Sequence, residues 1–424
     1  MQAPEEPAVS APPQSVPLLV IAREWSRIGI TGFGGPPAHI ALLRRLCVQR
    51  NSWLSEAEFE DGIAATSLLP GPASTQLAIF CGWRLAGPLG AIVAGTCFIV
   101  PGLLIILGLS VLFLEHSPPA WVTGAAAGAG GSVPAIAVAA AAGLLPASWR
   151  RAGLVTFARA RWVCYLLAGA VAANLAGEYL VVVLLACGLA EWLVSRRAAG
   201  GDAVGSGPMG SGVSPDSSVS SQVSNRGGTD GAKRGALLAP IAAKALTAGV
   251  FGSLAWVALK VGALAFGGGF VIIPLMQHDA VHTYHWMTTE QFLGAVALGQ
   301  VTPGPVVLTV GVVGYAAAGV AGCLLGVLIA FAPSFLFILA GGRHFDAFRR
   351  NTAAQAFLGG AGPAAIGAIG GAAITLGLGL TQFWQIGVLL AAGLWLLLLR
   401  RGVVAAILAA ALIGVVVALA GGPI

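Results

Sequence analysis

Residues 33–40 read FGGPPAHI and residues 70–72 read PGP. Later, residues 266–273 read FGGGFVII and residues 303–305 read PGP again. The spacing between the two motifs is the same both times. Laid over one another without a gap, residues 29–72 and 262–305 are identical at 13 of 44 positions, among them Trp53/Trp286, Phe59/Phe292 and Ala64/Ala297. Moving the register by one residue pairs Gly82-Trp83 with Gly314-Tyr315 and Pro101 with Pro333. Chance likeness between Gly/Ala-rich helices would not keep a tryptophan and two motifs in register. The chain therefore reads as two copies of one unit.

Composition says what kind of unit. Of 424 residues, 57% are hydrophobic and 9% charged, with a mean hydropathy of +0.88. Soluble domains carry about 25% charged residues, so a water-soluble enzyme of this length is excluded, and a disordered chain is excluded by the apolar content. The expectation is an all-α integral membrane protein embedded in a lipid bilayer. The net charge of +6 comes from arginines in short loops, which orient helices, rather than from one basic face, so no nucleic-acid partner is expected. Six cysteines stand singly with no CxxC pair, leaving neither a disulfide framework nor a zinc site. No phosphate-binding loop, haem motif or nucleophile constellation is present, so the chain reads as no enzyme and no self-contained ATP pump, with no cofactor. His278, His282 and His285 beside Asp279 have helical spacing that could hold a transition metal. The other copy has Arg45, Gln49 and Ser52 there, so the cluster is taken as drift and no metal is expected.

Four segments follow. Residues 1–15, with four prolines and no Lys or Arg, read as a disordered tail rather than a cleaved signal. Residues 16–195 form the first membrane repeat, 196–238 a flexible Gly/Ser linker, and 239–424 the second repeat. Cations mark one copy and are absent from the other at successive equivalent loops. Arg44, Arg45 and Arg50 face a bare 277–283, and Arg150, Arg151, Arg159 and Arg161 face a bare 379–383. Conversely, Arg343, Arg349 and Arg350 face a bare 115–119. By the positive-inside rule the copies sit upside down relative to one another, as in secondary transporters whose substrate site lies where the repeats meet. Arg196, Arg197, Lys233 and Arg234 at the linker ends place the linker in the cytoplasm, which makes each half cross an odd number of times. One crossing at each FGG element, a re-entrant pair at each PGP element and four crossings after it give about ten spans.

The breaks carry the chemistry. Phe33, Gly34 and Gly35, Pro70, Gly71 and Pro72, Phe266, Gly267 and Gly268, and Pro303, Gly304 and Pro305 interrupt apolar runs. Broken backbone at membrane depth is tolerated where it lines a cavity or is buried in protein, and a half-helix starting there aims N–H groups and a positive dipole at an anion. Close packing alone is the duller alternative. Arg27 and Lys260 each precede an FGG break by six residues and could share a dianion, or could snorkel from helix ends. Ser67, Ser74, Thr75 and Gln76 in one copy, with Gln300, Thr302 and Thr309 in the other, offer uncharged donors near the PGP turns. Glu58 and Asp61 face Gln291 and Gly294 in the other copy, an asymmetry that would let one carboxylate couple transport to a proton, although a solvated helix start explains it too.

FGGPPAHI, LLPGPASTQLAIFCGWRLAGPLGA, FGGGFVIIPLM and TPGPVVLTVGVVGY resemble the chromate ion transporter family in its long form, with two homologous domains in one polypeptide. The second copy departs from the first at Gly269, opposite Pro36, and has no partner for His39. The resemblance implies a multi-pass protein of the bacterial inner membrane that exports chromate and confers resistance to it. Sulfate, a dianion of the same shape, is a natural competitor. An importer or exchanger of sulfate or another oxyanion is the alternative, and a membrane scaffold without transport is the alternative of another class. A homodimer is admitted as the assembly.

Overall fold

The computed structural model describes residues 16–114, 118–153, 156–175, 179–201, 239–265, 270–341 and 351–423. The expected tail, nearly all of the linker, and Phe266, Gly267 and Gly268 lie outside them. The first half runs α1 (Leu18–Thr31), α2 (Pro36–Arg44, continued by a π-helix Arg45–Arg50), α3 (Glu56–Leu68), α4 (Ala73–Phe113), α5 (Ala120–Arg151), α6 (Thr156–Leu175) and α7 (Leu180–Gly201). The second half repeats the order: α8 (Ala239–Leu264), α9 (Ile272–Gln277, continued by a π-helix His278–Thr283), α10 (Thr289–Val301), α11 (Thr309–Gly341), α12 (Thr352–Leu378), α13 (Phe383–Gly393) and α14 (Val403–Leu419).

The likeness extends to irregularities. Helix α4 breaks at Ala86 and Gly87, the latter at φ 62°, and α11 breaks at Ala318 and Gly319, also at φ 62°. The π-helices after α2 and α9 are each followed by a non-glycine residue at positive φ, Ser52 and His285, and so is a third at Leu394–Leu398, by Arg400. Helices α3 and α10 both start on capping boxes, Ser55 with Glu58 and Thr288 with Gln291. Each box satisfies two otherwise orphaned backbone donors, which sharpens the start of a helix that lacks a preceding partner.

Contacts at the ends of the first four helices fix their course. The Val16 amide donates to the Leu85 carbonyl at 3.3 Å. Arg44 reaches Glu56 at 2.7 Å and also Glu60, and Arg84 reaches Glu58. The start of α1, the end of α2, the start of α3 and the end of the first segment of α4 are therefore together. The FGG element does not cross as expected. It is the tip of a hairpin, α1–α2, and the PGP turn is the tip of a second, α3 with the first segment of α4. Glycine is required at both tips: Gly34, Gly35 and Gly71 have φ of 101°, 72° and 123°.

Four described helices are long and apolar enough to cross a membrane: Ala73–Phe113, Ala120–Arg151, Val306–Gly341 and Thr352–Leu378. Large apolar side chains stand on the outside, such as Leu378, Leu328, Leu412 and Phe383. A lipid-facing surface is the environment that makes such exposure stable.

The two halves are interlaced. Helix α1 packs on α4 and α8 on α11, with α4 against α11 between them. The later helices cross over, so that α6 and α7 pack on α12 while α13 and α14 pack on α5. Small residues permit this. A Cβ on Gly169 or Gly367 would fall onto the carbonyl of Ala364 or Leu166, and one on Gly128 or Gly414 onto that of Ala410 or Gly124. Backbone contact of this kind drives helix association in lipid, where apolar burial supplies no force.

Candidate substrate site

The hairpin tips converge across the two halves. The Gly304 amide of the second PGP turn donates to the Gly32 carbonyl at the first FGG tip, at 3.1 Å. The same carbonyl accepts from His39 Nε2 at 2.9 Å, so the ring carries its proton there and Nδ1 is left to accept from the Ser74 hydroxyl at 3.2 Å. His39 is fully buried, with its ring edge-on to Phe98. Reciprocally, the first PGP turn lies against the second half: a Cβ on Gly71 would sit 3.1 Å from Ser334 Oγ and 3.4 Å from the Gly262 carbonyl.

The helix that starts after the first FGG break does not offer the free amides expected of it. Pro36 and Pro37 have no N–H, and the amides of Ala38 and His39 bond to the Gly35 carbonyl. The first PGP turn does better. Thr75 and Gln76 donate to the Pro72 carbonyl, while Ala73 and Ser74 precede the helical ladder.

The two turns differ in their polar groups. Ser74, Thr75, Gln76 and Ser334 are all buried at the first, whereas Val307, Leu308, Thr309 and Gly102 hold the corresponding positions around Gly304. Gln76 Nε2 donates to the Pro70 carbonyl at 2.7 Å. Thr75 Oγ1, Gln76 Oε1, Ser334 Oγ and, in the second half, Gln300 Nε2 are buried without a hydrogen-bond partner. Leaving such a group unpaired costs about 1–3 kcal/mol, so Thr75, Gln76 and Ser334 around the first PGP turn mark a polar site. Thr302 and Thr309 instead return their hydroxyls to the backbone, at Leu298 and Val306.

The expected charges are placed otherwise. Arg27 lies on the exposed face of α1, opposite the buried Ile21, Trp25 and Ile28. Lys260 Nζ is held by Asp279 at 2.6 Å, in a pair with side chains 16% and 7% exposed. The two cations are not brought to a common ligand. Phe33 is exposed. Glu58 works in its capping box and with Arg84, and Gln291 does the same capping in the other copy, which accounts for that Glu/Gln asymmetry. Asp61, Ala64 and Ser67 share an exposed face of α3. His278 and His282 stack loosely at 6.1 Å and His285 bonds to the Val281 carbonyl, and no group of three metal-ligating residues occurs among the described residues.

A cavity of about 820 Å³ ends on this turn. Its walls include Ser67 and Gly71 at one end, Pro363 and Ile366 of α12, and Ser148, Arg151, Trp162, Tyr165 and Glu191 from α5, α6 and α7. On the equivalent side, α10 packs directly on α5, and Gly294, Ala297 and Gln300, the counterparts of Asp61, Ala64 and Ser67, are buried. Sequence reasoning missed Ser334, which stands alone in an apolar run, and Glu191, whose signal was available as a carboxylate inside a helix otherwise fit for the membrane. It read Arg151 and Arg161 only as markers of orientation.

Broken helices whose tips meet, apolar helices long enough to cross a bilayer, and a cavity that reaches Gly71 and Ala73 beside the buried polar groups are the features of a multi-pass all-α membrane protein. The family profile described as Chromate transporter matches residues 19–192 and 252–415, and the chain belongs to that family. It is similar to the chromate transport protein of Cupriavidus metallidurans, with 31% identity over 82% of this chain and 80% of the relative. A chromate transport protein of Pseudomonas aeruginosa is 30% identical over 86% and 82%, and a probable chromate transport protein of Synechococcus elongatus 28% over 85% and 84%. No solved structure matches.

Proposed function

We propose that the protein is a secondary transporter that exports chromate across the bacterial inner membrane and so confers resistance. The observation carrying this is the first PGP turn: buried, unpartnered Thr75, Gln76 and Ser334 beside the free start of α4, at the end of a cavity. Of these, the Thr75 and Ser334 hydroxyls, with the first amides of α4, are uncharged donors that suit a desolvated oxyanion, while Gln76 Oε1 can only accept. His39, by fixing Ser74, and the glycines of the tips would shape the site, with Gln300, Thr302 and the second PGP turn closing it from the other half.

The inverted relation of the halves is supported by the course of α4 and α11. Gly95 faces Phe335 and Gly311 faces Ile106, an antiparallel arrangement, and Phe113 at the far end of α4 faces Gly294 near the start of α10. With hairpins at the FGG and PGP elements, this reading has four crossings in each half, the shorter apolar helices Phe383–Leu398 and Val403–Leu419 among them. This even number per half takes the place of the odd number expected from a cytoplasmic linker. Arg150, Arg151, Arg159 and Arg161 put the cavity mouth on the cytoplasmic side, and the closed contact of α10 with α5 seals the other. Exchanging the tight and open interfaces would expose the site outside. Proton coupling through Glu58 or Asp61 competes with the capping and ion pairing that Glu58 already performs.

Energetics favour export. A charge crossing the membrane gains about 2.3 kcal/mol per 100 mV, so a dianion leaving a negative interior gains about twice that without another source. Labelled chromate uptake into everted vesicles, with respiration on and then uncoupled, tests the reading, and excess sulfate in the same assay ranks the two anions. Energised uptake above vesicles lacking the protein is the expected result; equal uptake with folded protein present overturns it.

A further inference from the structure

The cavity contains one acidic residue among its described lining, and nothing above gives it a task. Glu191 sits on α7 after a run, Leu180 to Ala190, that carries no charged group and no polar side chain but the Cys187 thiol. Its carboxylate grips Arg161 of α6 with both oxygens, Oε2 to Nε at 2.9 Å and Oε1 to Nη2 at 3.0 Å. Tyr165 donates its hydroxyl to the same Oε2 at 3.1 Å. The side chains are 18% and 32% exposed. Glu191 and Tyr165 line the cavity, and Arg161 is joined to it through the carboxylate.

A negative group on the wall of a passage for a dianion is a contradiction unless it can be relieved. The geometry supplies the relief, because the fork of a guanidinium that holds a carboxylate with two hydrogen bonds holds a tetrahedral oxyanion equally well. We propose that Glu191 and a dianionic oxyanion compete for Arg161, with Glu191 as the internal substitute for the substrate at an entry station short of the PGP turn. This rests on the transport reading above.

The groups facing Glu191 restrict how it is released. Helix α6 offers Arg161 and Tyr165, and α5 offers Arg151 at the cavity wall. From α12 come Gly359 and Gly360, a Cβ on the latter lying 2.9 Å from Glu191 Cβ, with Gln355 further along the wall. No second carboxylate is among them. Protonating Glu191 ends its two-point hold on Arg161, so the proton and the anion bind together, and affinity for the anion rises as pH falls.

The test is titration of the purified full-length protein with chromate and with sulfate at two pH values, alongside chromate flux in proteoliposomes. Wild type should bind more tightly at the lower pH. Glu191→Gln should bind about tenfold more tightly at the higher pH and lose most of the pH dependence. Protonation of the chromate itself cancels in the comparison of the two proteins. Arg161→Gln should bind about tenfold more weakly, with Arg161→Lys recovering part of the loss. If Glu191→Gln is unstable, Tyr165→Phe carries the test, since removing one donor from the carboxylate should shift binding the same way by a smaller factor. Glu191→Gln and Arg161→Gln weakening binding alike, or neither changing it, overturns the competition while leaving transport intact. Wild type binding neither anion overturns the transport reading, and this inference with it.

Discussion

Gly71 and Gly87 both lie in the left-handed region, yet they should respond differently to alanine. A Cβ on Gly71 meets Gln76 Nε2 at 2.5 Å as well as Ser334 Oγ, whereas one on Gly87 meets nothing within 4 Å. Gly87→Ala should cost only the backbone strain of a region open to glycine, about 1–3 kcal/mol, and keep transport. Gly71→Ala should cost more and lose transport, as read by thermal unfolding in detergent and by chromate flux. Ser334 separates function from folding by sign. Its hydroxyl is buried and unpartnered, so Ser334→Ala should leave stability unchanged or raise it by about 1 kcal/mol while weakening chromate uptake several-fold. Lower stability with normal uptake would remove Ser334 from the site.

Among the elements, α3 and its counterpart α10 show what the sequence could and could not disclose. Both capping boxes are legible as Ser-x-x-Glu and Thr-x-x-Gln, and they make Glu58→Gln a sharp variant. Capping survives, only the pair with Arg84 is lost, and flux within about twofold of wild type is expected. A large loss of pH-dependent flux would instead restore Glu58 as the coupling carboxylate. The broken helices were legible too, because adjacent glycines and Pro-Gly-Pro cannot continue a helix. The direction of the FGG element was not. Whether a break continues across or turns back is decided by Val16 meeting Leu85 and Arg44 meeting Glu56, contacts made at long range. The break at Ala318 and Gly319 was hidden for another reason, since Ala-Gly in an apolar run carries no strong stop signal. The pairing of Arg161 with Glu191 joins two helices, and the cluster of arginines around it already had a sufficient explanation in topology.

At the scale of the molecule, the unit that moves is not one half of the sequence. Helices α6 and α7 belong by contact to α12, and α13 and α14 to α5, so rocking of one copy against the other would tear both clasps. The packing instead separates a layer that holds the hairpins, α1–α4 with α8–α11, from a layer of the later helices, α5–α7 with α12–α14. The cavity lies where these layers part. For the inverted reading, a reporter fused before residue 16 should register in the cytoplasm and one fused after residue 424 outside it. Both on the same face would overturn the inversion. The interlacing has one more result, for the covalent chain itself. Because each half ends by gripping the other, the peptide between residues 202 and 238 is not what keeps them together. A protease site placed there and cut after assembly should yield two fragments that migrate as one particle and still carry anion, and two genes could make what one makes here.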